Sequence, residues 1–221
     1  MNKALILGAS GGIGRALVQA CEARGTHVTA VSRQVDGLDL TDEACTDRIL
    51  GALDGPFDAL IVATGALEIA GAAPEKALRQ ISAQAMADQF ALNAIGPALV
   101  LKHAARLMPR TSPSVCAVLT ARVGSIGDNR LGGWTSYRAA KAAANQVVRT
   151  ASIELARTHK HLACIALHPG TVATAFTEKY LARHPSVPPQ TAAAHILSVL
   201  ETVTAKQTGT FLDWAGKEVP W

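Results

Sequence analysis

The chain has 221 residues, 49% of them hydrophobic and 17% charged, with a formal net charge of +4. That balance is too apolar for disorder and too interrupted by charge for a membrane protein; with 4% aromatics and Lys and Arg spread along the whole length, it offers no basic, stacking surface for nucleic acid. One soluble domain over residues 1–221 is expected, in the cytosol, because no run nears the roughly 20 apolar residues of a spanning helix and Met1-Asn2-Lys3 leads into an apolar strand without signal-peptide architecture.

The first strand-length apolar run, Ala4-Leu7, is followed by a helical pattern from Ile13 to Arg24 that Gly25 can cap in the left-handed conformation. Further strands are expected at His27-Val31, Ala59-Ala63, Val115-Leu119 and Leu162-Leu167, with alanine-rich helices from about Asn93 to Leu107 and from Tyr137 to about Arg157. Gly127 to Gly133 and Pro185 to Pro189 read as loops, and no repeat or linker divides the chain. Strands that are apolar almost throughout, alternating with helices, imply a doubly wound parallel α/β sheet covered on both faces. Cys21, Cys45, Cys116 and Cys164 are too scattered for a metal site or a disulfide framework and read as buried, reduced thiols; no metal is expected.

Between the first strand and first helix stands Gly8-Ala-Ser10-Gly-Gly12-Ile13-Gly14, where glycines permit a tight turn and close approach of backbone amides to a pyrophosphate. Its Gly-x3-Gly-x-Gly spacing resembles the cofactor motif of the short-chain dehydrogenase/reductase family; an ordinary glycine-rich turn is the alternative. The second strand ends at Val31-Ser32-Arg33, with no acid for the ribose hydroxyls of NAD but a guanidinium and a hydroxyl suited to a 2′-phosphate. NADP(H) is therefore expected over NAD(H). Asp39-Leu40 resembles the family segment beside the adenine, and Ala63-Thr64-Gly65 resembles, in part, its Asn-Asn-Ala-Gly turn.

Tyr137 and Lys141 are four residues apart, hence on one helical face, where an ammonium would favour the phenolate and lower a tyrosine pKa from about 10. A helix-start tyrosine and a solvated lysine are the alternative. Taken with the glycine turn, Asn93, Ser125 and His168-Pro169-Gly170-Thr171-Val172, they stand in the order and spacing of a short-chain dehydrogenase/reductase, a resemblance spanning essentially the whole chain. It implies a Rossmann fold of about seven strands, Tyr137 as catalytic acid or base, Lys141 on the nicotinamide ribose, and Ser125 polarising the substrate carbonyl. It also implies Asn93 in a water and proton relay, with a plain helix cap as the alternative, and Pro169, Gly170, Thr171, Val172 and Thr174 cradling the nicotinamide and phosphates. Ser125 is favoured over Thr120 by its twelve-residue separation from Tyr137. His168, with no Ser-His-Asp order around it, reads as structural.

Ala121-Arg-Val-Gly-Ser-Ile126, Gly132-Gly-Trp134, Ser136-Tyr-Arg138 and the ending from Gly209 to Trp221 resemble the C-factor-like and sniffer-like carbonyl reductases within the family. The expected function is hydride transfer between NADP(H) and a small carbonyl or alcohol substrate, over which 173–189, with Phe176, Tyr180 and Leu181, would form a wall. The alternative is a dinucleotide-binding, C-factor-like signalling or sensor protein with little or no turnover. No nucleic-acid or membrane partner is expected, and the resemblance implies a homodimer or homotetramer.

Overall fold

The computed structural model describes residues 1–183 and 185–221. Six strands, β1 (Lys3–Leu7), β2 (His27–Val31), β3 (Ala59–Val62), β4 (Ser114–Leu119), β5 (Leu162–His168) and β6 (Phe211–Asp213), form one sheet in the order β2-β1-β3-β4-β5-β6, all pairs parallel. The helices are α1 (Gly12–Glu22), α2 (Arg33–Asp36), α3 (Glu43–Gly51), α4 (Ala83–Phe90), α5 (Gly96–Lys102), α6 (Ala104–Leu107), α7 (Thr135–Leu155) and α8 (Pro189–Thr202).

Alternate residues of each central strand enter two separate cores. Leu5, Leu7, Leu60 and Val62 pack with Val100, Val148 and Leu155 on one face, whereas Ala4, Ile6 and Ile61 pack with Leu17, Ile196 and Leu197 on the other. Both faces being covered explains why these strands read as unbroken apolar runs. No helix among the described residues is long and apolar enough to cross a membrane.

The five expected strands lie within a residue or so of their predicted bounds, but among the described residues the sheet has six strands instead of about seven. Beyond β2, the edge of the sheet among the described residues, the chain turns at once into α2, whose N-cap is Ser32, and Gly37 ends that helix in the left-handed conformation. The helix expected from Asn93 begins ten residues earlier, at Ala83, capped by the Ser82 hydroxyl that accepts from the Ala85 amide at 3.4 Å. Pro97 cannot donate the backbone bond of a regular helix; a π turn over Ala91–Ile95 joins α4 to α5 just before it. Of the four cysteines Cys45 is only half-buried.

After β1 the chain crosses to β2 on one side and then to β3 on the other. The connections leaving the carboxyl ends of the paired strands β1 and β3 therefore run in opposite directions, the place where open α/β sheets bind ligands.

Candidate active site

The glycine turn is closed tightly beneath α1. Gly8 has a φ of +86° and its amide donates to Val31 O at 2.8 Å, which sets the turn beside the end of β2. A Cβ on Gly14 would lie 2.1 Å from Gly8 O, and one on Gly12 would lie 2.5 Å from Thr174 Cγ2, so side chains are excluded where the chain segments meet. No side chain caps α1, leaving first-turn amides without acceptors inside the helix. Ser10, partly exposed, and Ile13 flank these amides, and Ile13 and Gly12 line the main cavity.

Ser32 departs from the expectation. It is buried, and its hydroxyl caps α2 by accepting from the Val35 amide at 3.2 Å, a structural commitment that leaves Arg33 as the exposed polar group at the end of β2. Asp39 accepts from the Thr41 amide and hydroxyl at 2.9 and 2.7 Å, hydrogen bonds that hold its carboxyl below the usual range. Leu40 is buried against Gly96.

The turn after β3 brings three expected residues to one point. Gly65 has a φ of +148°, and a Cβ there would stand 2.8 Å from Asn93 Oδ1 and 3.4 Å from Lys141 Nζ. Asn93 is fully buried inside the π turn. It donates from Nδ2 to Ala66 O and Gln89 Oε1 at 2.9 and 2.7 Å, and its Oδ1 accepts from the Ala66 amide at 3.3 Å. It ties α4 to the β3 turn and caps no helix. Ala63 and Thr64 line the cavity, and the buried Thr64 hydroxyl has no partner.

Tyr137 and Lys141 both face this cavity from the first turns of α7, 6% and 3% exposed. Lys141 Nζ donates to Leu119 O at 3.3 Å and lies 5.8 Å from the centre of the Tyr137 ring. Burial pushes the ammonium down to about 8. Burial also raises the Tyr137 phenol, the reverse of the lowering expected from a neighbouring ammonium.

The hydroxyl expected beside them is not that of Ser125. Ser125 lies outside the cavity, donating to Pro220 O and accepting from the Asp128 amide at 3.0 Å. A single 3₁₀ turn over Arg122–Gly124 reverses the chain after β4, so residue spacing along this loop does not report direction. Thr120, at the end of β4, lines the cavity, and its buried hydroxyl has no partner. His168 lines it as well, held neutral because burial, then the charge of Arg122, lowers it to about 4.

Pro169, Gly170, Thr171, Val172 and Thr174 also line the cavity. Gly170 has a φ of +82° with Trp214 packed across it, and Val172 and Val187 bridge as neighbouring strand residues. Phe176 and Trp134 stand edge-on to Tyr137 at 6.3 and 6.4 Å, and Tyr180 edge-on to Trp134 at 5.3 Å. In 173–189, His184 and the side chain of Leu181 lie outside the described residues. The cavity has a volume of about 720 Å³, with Leu67, Val123 and Leu131 completing an apolar side. Sequence reasoning missed Trp134, Gln89 and Glu75 as parts of this surround; Glu75 in particular acts through Ser136, 61 residues later.

A family model described as short chain dehydrogenase matches residues 37–184. C-signal of Myxococcus xanthus is 30% identical over 76% of this chain and 94% of its own length. The 1-hydroxy-2-glutathionyl-2-methyl-3-butene dehydrogenase of Rhodococcus sp. (strain AD45) is 27% identical over the full length of both chains. A solved carbonyl reductase from Pseudomonas aeruginosa PAO1 is 26% identical, with a TM-score of 0.82 over the whole of both chains. With the parallel sheet, the glycine turn at its switch point and the buried Tyr137 and Lys141 before one cavity, these matches establish that the chain belongs to the short-chain dehydrogenase family of oxidoreductases.

Proposed function

We propose that this protein reduces a carbonyl compound, or oxidises the corresponding alcohol, with NADP(H) as cofactor, residues 1–221 acting as one domain. The observation that carries the reading is the meeting of Tyr137, Lys141 and the unpartnered Thr120 hydroxyl on one cavity that opens to the glycine turn. The cavity fits a dinucleotide: side chains are sterically excluded at Gly12 and Gly14, first-turn amides of α1 are free, and the hydroxyls of Thr64 and Thr120 and Nδ1 of His168 are buried without partners among the described residues. Gly8, Ser10, Gly12, Ile13 and Gly14 would hold the pyrophosphate; Ala63 to Gly65 and Pro169 to Val172 with Thr174 would hold the nicotinamide end. Arg33 would meet the 2′-phosphate, and Asp39-Leu40 would flank the adenine. The bound cofactor supplies or accepts the hydride.

Tyr137 gives its phenolic proton to the substrate oxygen in reduction and takes it back in oxidation. A raised phenol keeps that proton in place at neutral pH. Lys141, whose pKa of about 8 permits proton exchange near neutrality, supports recharging of the phenol and reaches the turn at Gly65, beside Asn93. Thr120, in the role expected of Ser125, donates to the oxygen as charge develops on it. The apolar side of Leu67, Leu131, Phe176 and Trp134 suits a hydrophobic ketone, aldehyde or quinone.

A second reading, a dinucleotide sensor without turnover, is favoured by the likeness to C-signal of Myxococcus xanthus, 30% identical over 76% of this chain. Titration of NADPH and NADH into wild type and Arg33→Ala, followed by NADPH oxidation with a carbonyl panel in wild type and Tyr137→Phe, tests both. Tighter NADPH binding that Arg33→Ala weakens, with turnover that Tyr137→Phe abolishes, is the expected result. Binding of neither nucleotide refutes the enzyme, and binding without turnover supports the sensor.

A further inference from the structure

The helix that carries Tyr137 and Lys141 begins without a cap of its own. Trp134, its N-cap residue, sits in the left-handed region at a φ of 52° and offers no side-chain acceptor, although Ser, Thr, Asp or Asn there would satisfy a first-turn amide. The acceptors come instead from Glu75, in the segment between β3 and α4. Its backbone carbonyl accepts from the Trp134 amide at 2.6 Å, its Oε2 from the Ser136 amide at 3.2 Å, and its Oε1 from the Ser136 hydroxyl. All three bonds fall on the residues immediately before Tyr137.

Glu75 is 6% exposed and Ser136 2%, and no cation pairs with this carboxylate among the described residues. A buried, unpaired carboxylate is a costly way to end a helix; here it is offset by the two Ser136 donors and by the positive end of the α7 dipole. Burial acts to raise the Glu75 carboxyl, yet bonds from the Ser136 hydroxyl and from the amides of Glu75 and Ser136 hold it below the usual range, so it stays an acceptor.

The placement matters because Tyr137 borders two spaces. It lines the main cavity and also a small pocket of about 10 Å³ whose walls include Glu75, Gln89 and Ser136. Gln89 in turn accepts from Asn93 at 2.7 Å. Trp134, fixed by the Glu75 carbonyl, meets the Tyr137 ring edge-on from the substrate side.

We propose that Glu75 is a positioning residue: by capping α7 at Ser136 and Trp134 it sets where the Tyr137 phenol stands relative to Lys141 and the substrate oxygen. The inference rests on the carbonyl-reductase reading above. It is tested in the full-length protein by kcat and KM for a carbonyl that wild type reduces, with the NADPH Kd and melting temperature measured alongside, in Glu75→Ala, Glu75→Gln and Ser136→Ala. Glu75→Ala is expected to lower kcat at least about tenfold, as small misplacements of a reacting group do, with NADPH Kd within about twofold of wild type. Glu75→Gln, which keeps an acceptor for the Ser136 amide, is expected to restore most of kcat. The inference is overturned if Glu75→Ala turns over like wild type, if Glu75→Gln is as impaired as Glu75→Ala, or if NADPH binding falls in step with kcat. Should Glu75→Ala not fold, Ser136→Ala decides: a fall in kcat at unchanged NADPH Kd supports the proposal and an unchanged kcat overturns it. Failure of wild type to reduce any carbonyl instead sinks the underlying reading, and the inference with it.

Discussion

Replacing Thr120 by Val and Ser125 by Ala perturbs two hydroxyls whose surroundings demand opposite outcomes. Thr120 is buried and its hydroxyl has no protein partner. An unsatisfied buried hydroxyl costs roughly 1–3 kcal/mol, so a valine of similar shape should raise stability by about 1 kcal/mol, or roughly 2–4 °C for a chain of this size. The same change removes the donor assigned to the developing oxyanion, a loss of about 10²–10³ in kcat. Ser125 makes two hydrogen bonds, to Pro220 O and from the Asp128 amide. Its alanine variant should lose about 1–3 kcal/mol of stability while kcat, measured well below the melting transition, stays within about threefold of wild type. Calorimetric melting and NADPH oxidation on the same preparations read both quantities. A Ser125→Ala protein that melts normally but no longer turns over, or a fully active Thr120→Val protein, would refute the assignment.

Two further outcomes follow from the same helix. Lys141 falls from its ordinary 10.5 to about 8 through burial, so the folded cofactor-free protein carries a penalty for the buried ammonium that is full below about pH 8 and gone above about pH 10.5, where folded and unfolded chains are both neutral there. Lys141→Met should therefore stabilise by up to about 3 kcal/mol at neutral pH, and the gain should shrink as pH rises through that window; a difference in melting temperature independent of pH would contradict the burial argument. Gly124→Ala would put a Cβ 2.8 Å from both the backbone carbon and the Cβ of Lys141, so the 3₁₀ turn after β4 must move off α7. Overpacking of this kind costs about 1–3 kcal/mol, visible as a lowered melting temperature with reduced turnover; an unchanged melt would show that the turn yields freely.

The parts of this fold that were legible in the sequence are those whose environment is the same along their length. β1 and β3 to β5 are buried on both faces, so they print as apolar runs, and the glycine turn is marked because three chain segments crowd it. β6, only three residues long, has no such period, and the start of α4 is obscure in the sequence because its capping Ser82 lies well ahead of Asn93, where the expected helix begins. The twelve-residue spacing from Tyr137 favours Ser125, but spacing carries no trace of the turn over Arg122–Gly124, after which the Ser125 hydroxyl bonds to Pro220. Ser32 was read for its hydroxyl alone, when a short helix starting at Arg33 needed that hydroxyl as a cap. Glu75 gave no local signal at all, because its meaning depends on Ser136, 61 residues later.

The three tryptophans are placed as though for optical spectroscopy. Trp134 stands edge-on to the rings of Tyr137 and Tyr180 at the cavity, Trp214 packs against Gly170, which lines it, while leaning on His195 at 4.9 Å, and Trp221 stacks on Phe211 at 5.7 Å, at the end of the sheet. Intrinsic emission thus carries two separate reporters of cavity filling and one background signal from the β6 edge. Replacing them singly by phenylalanine would assign each component of a ligand titration to one of them, without any attached dye.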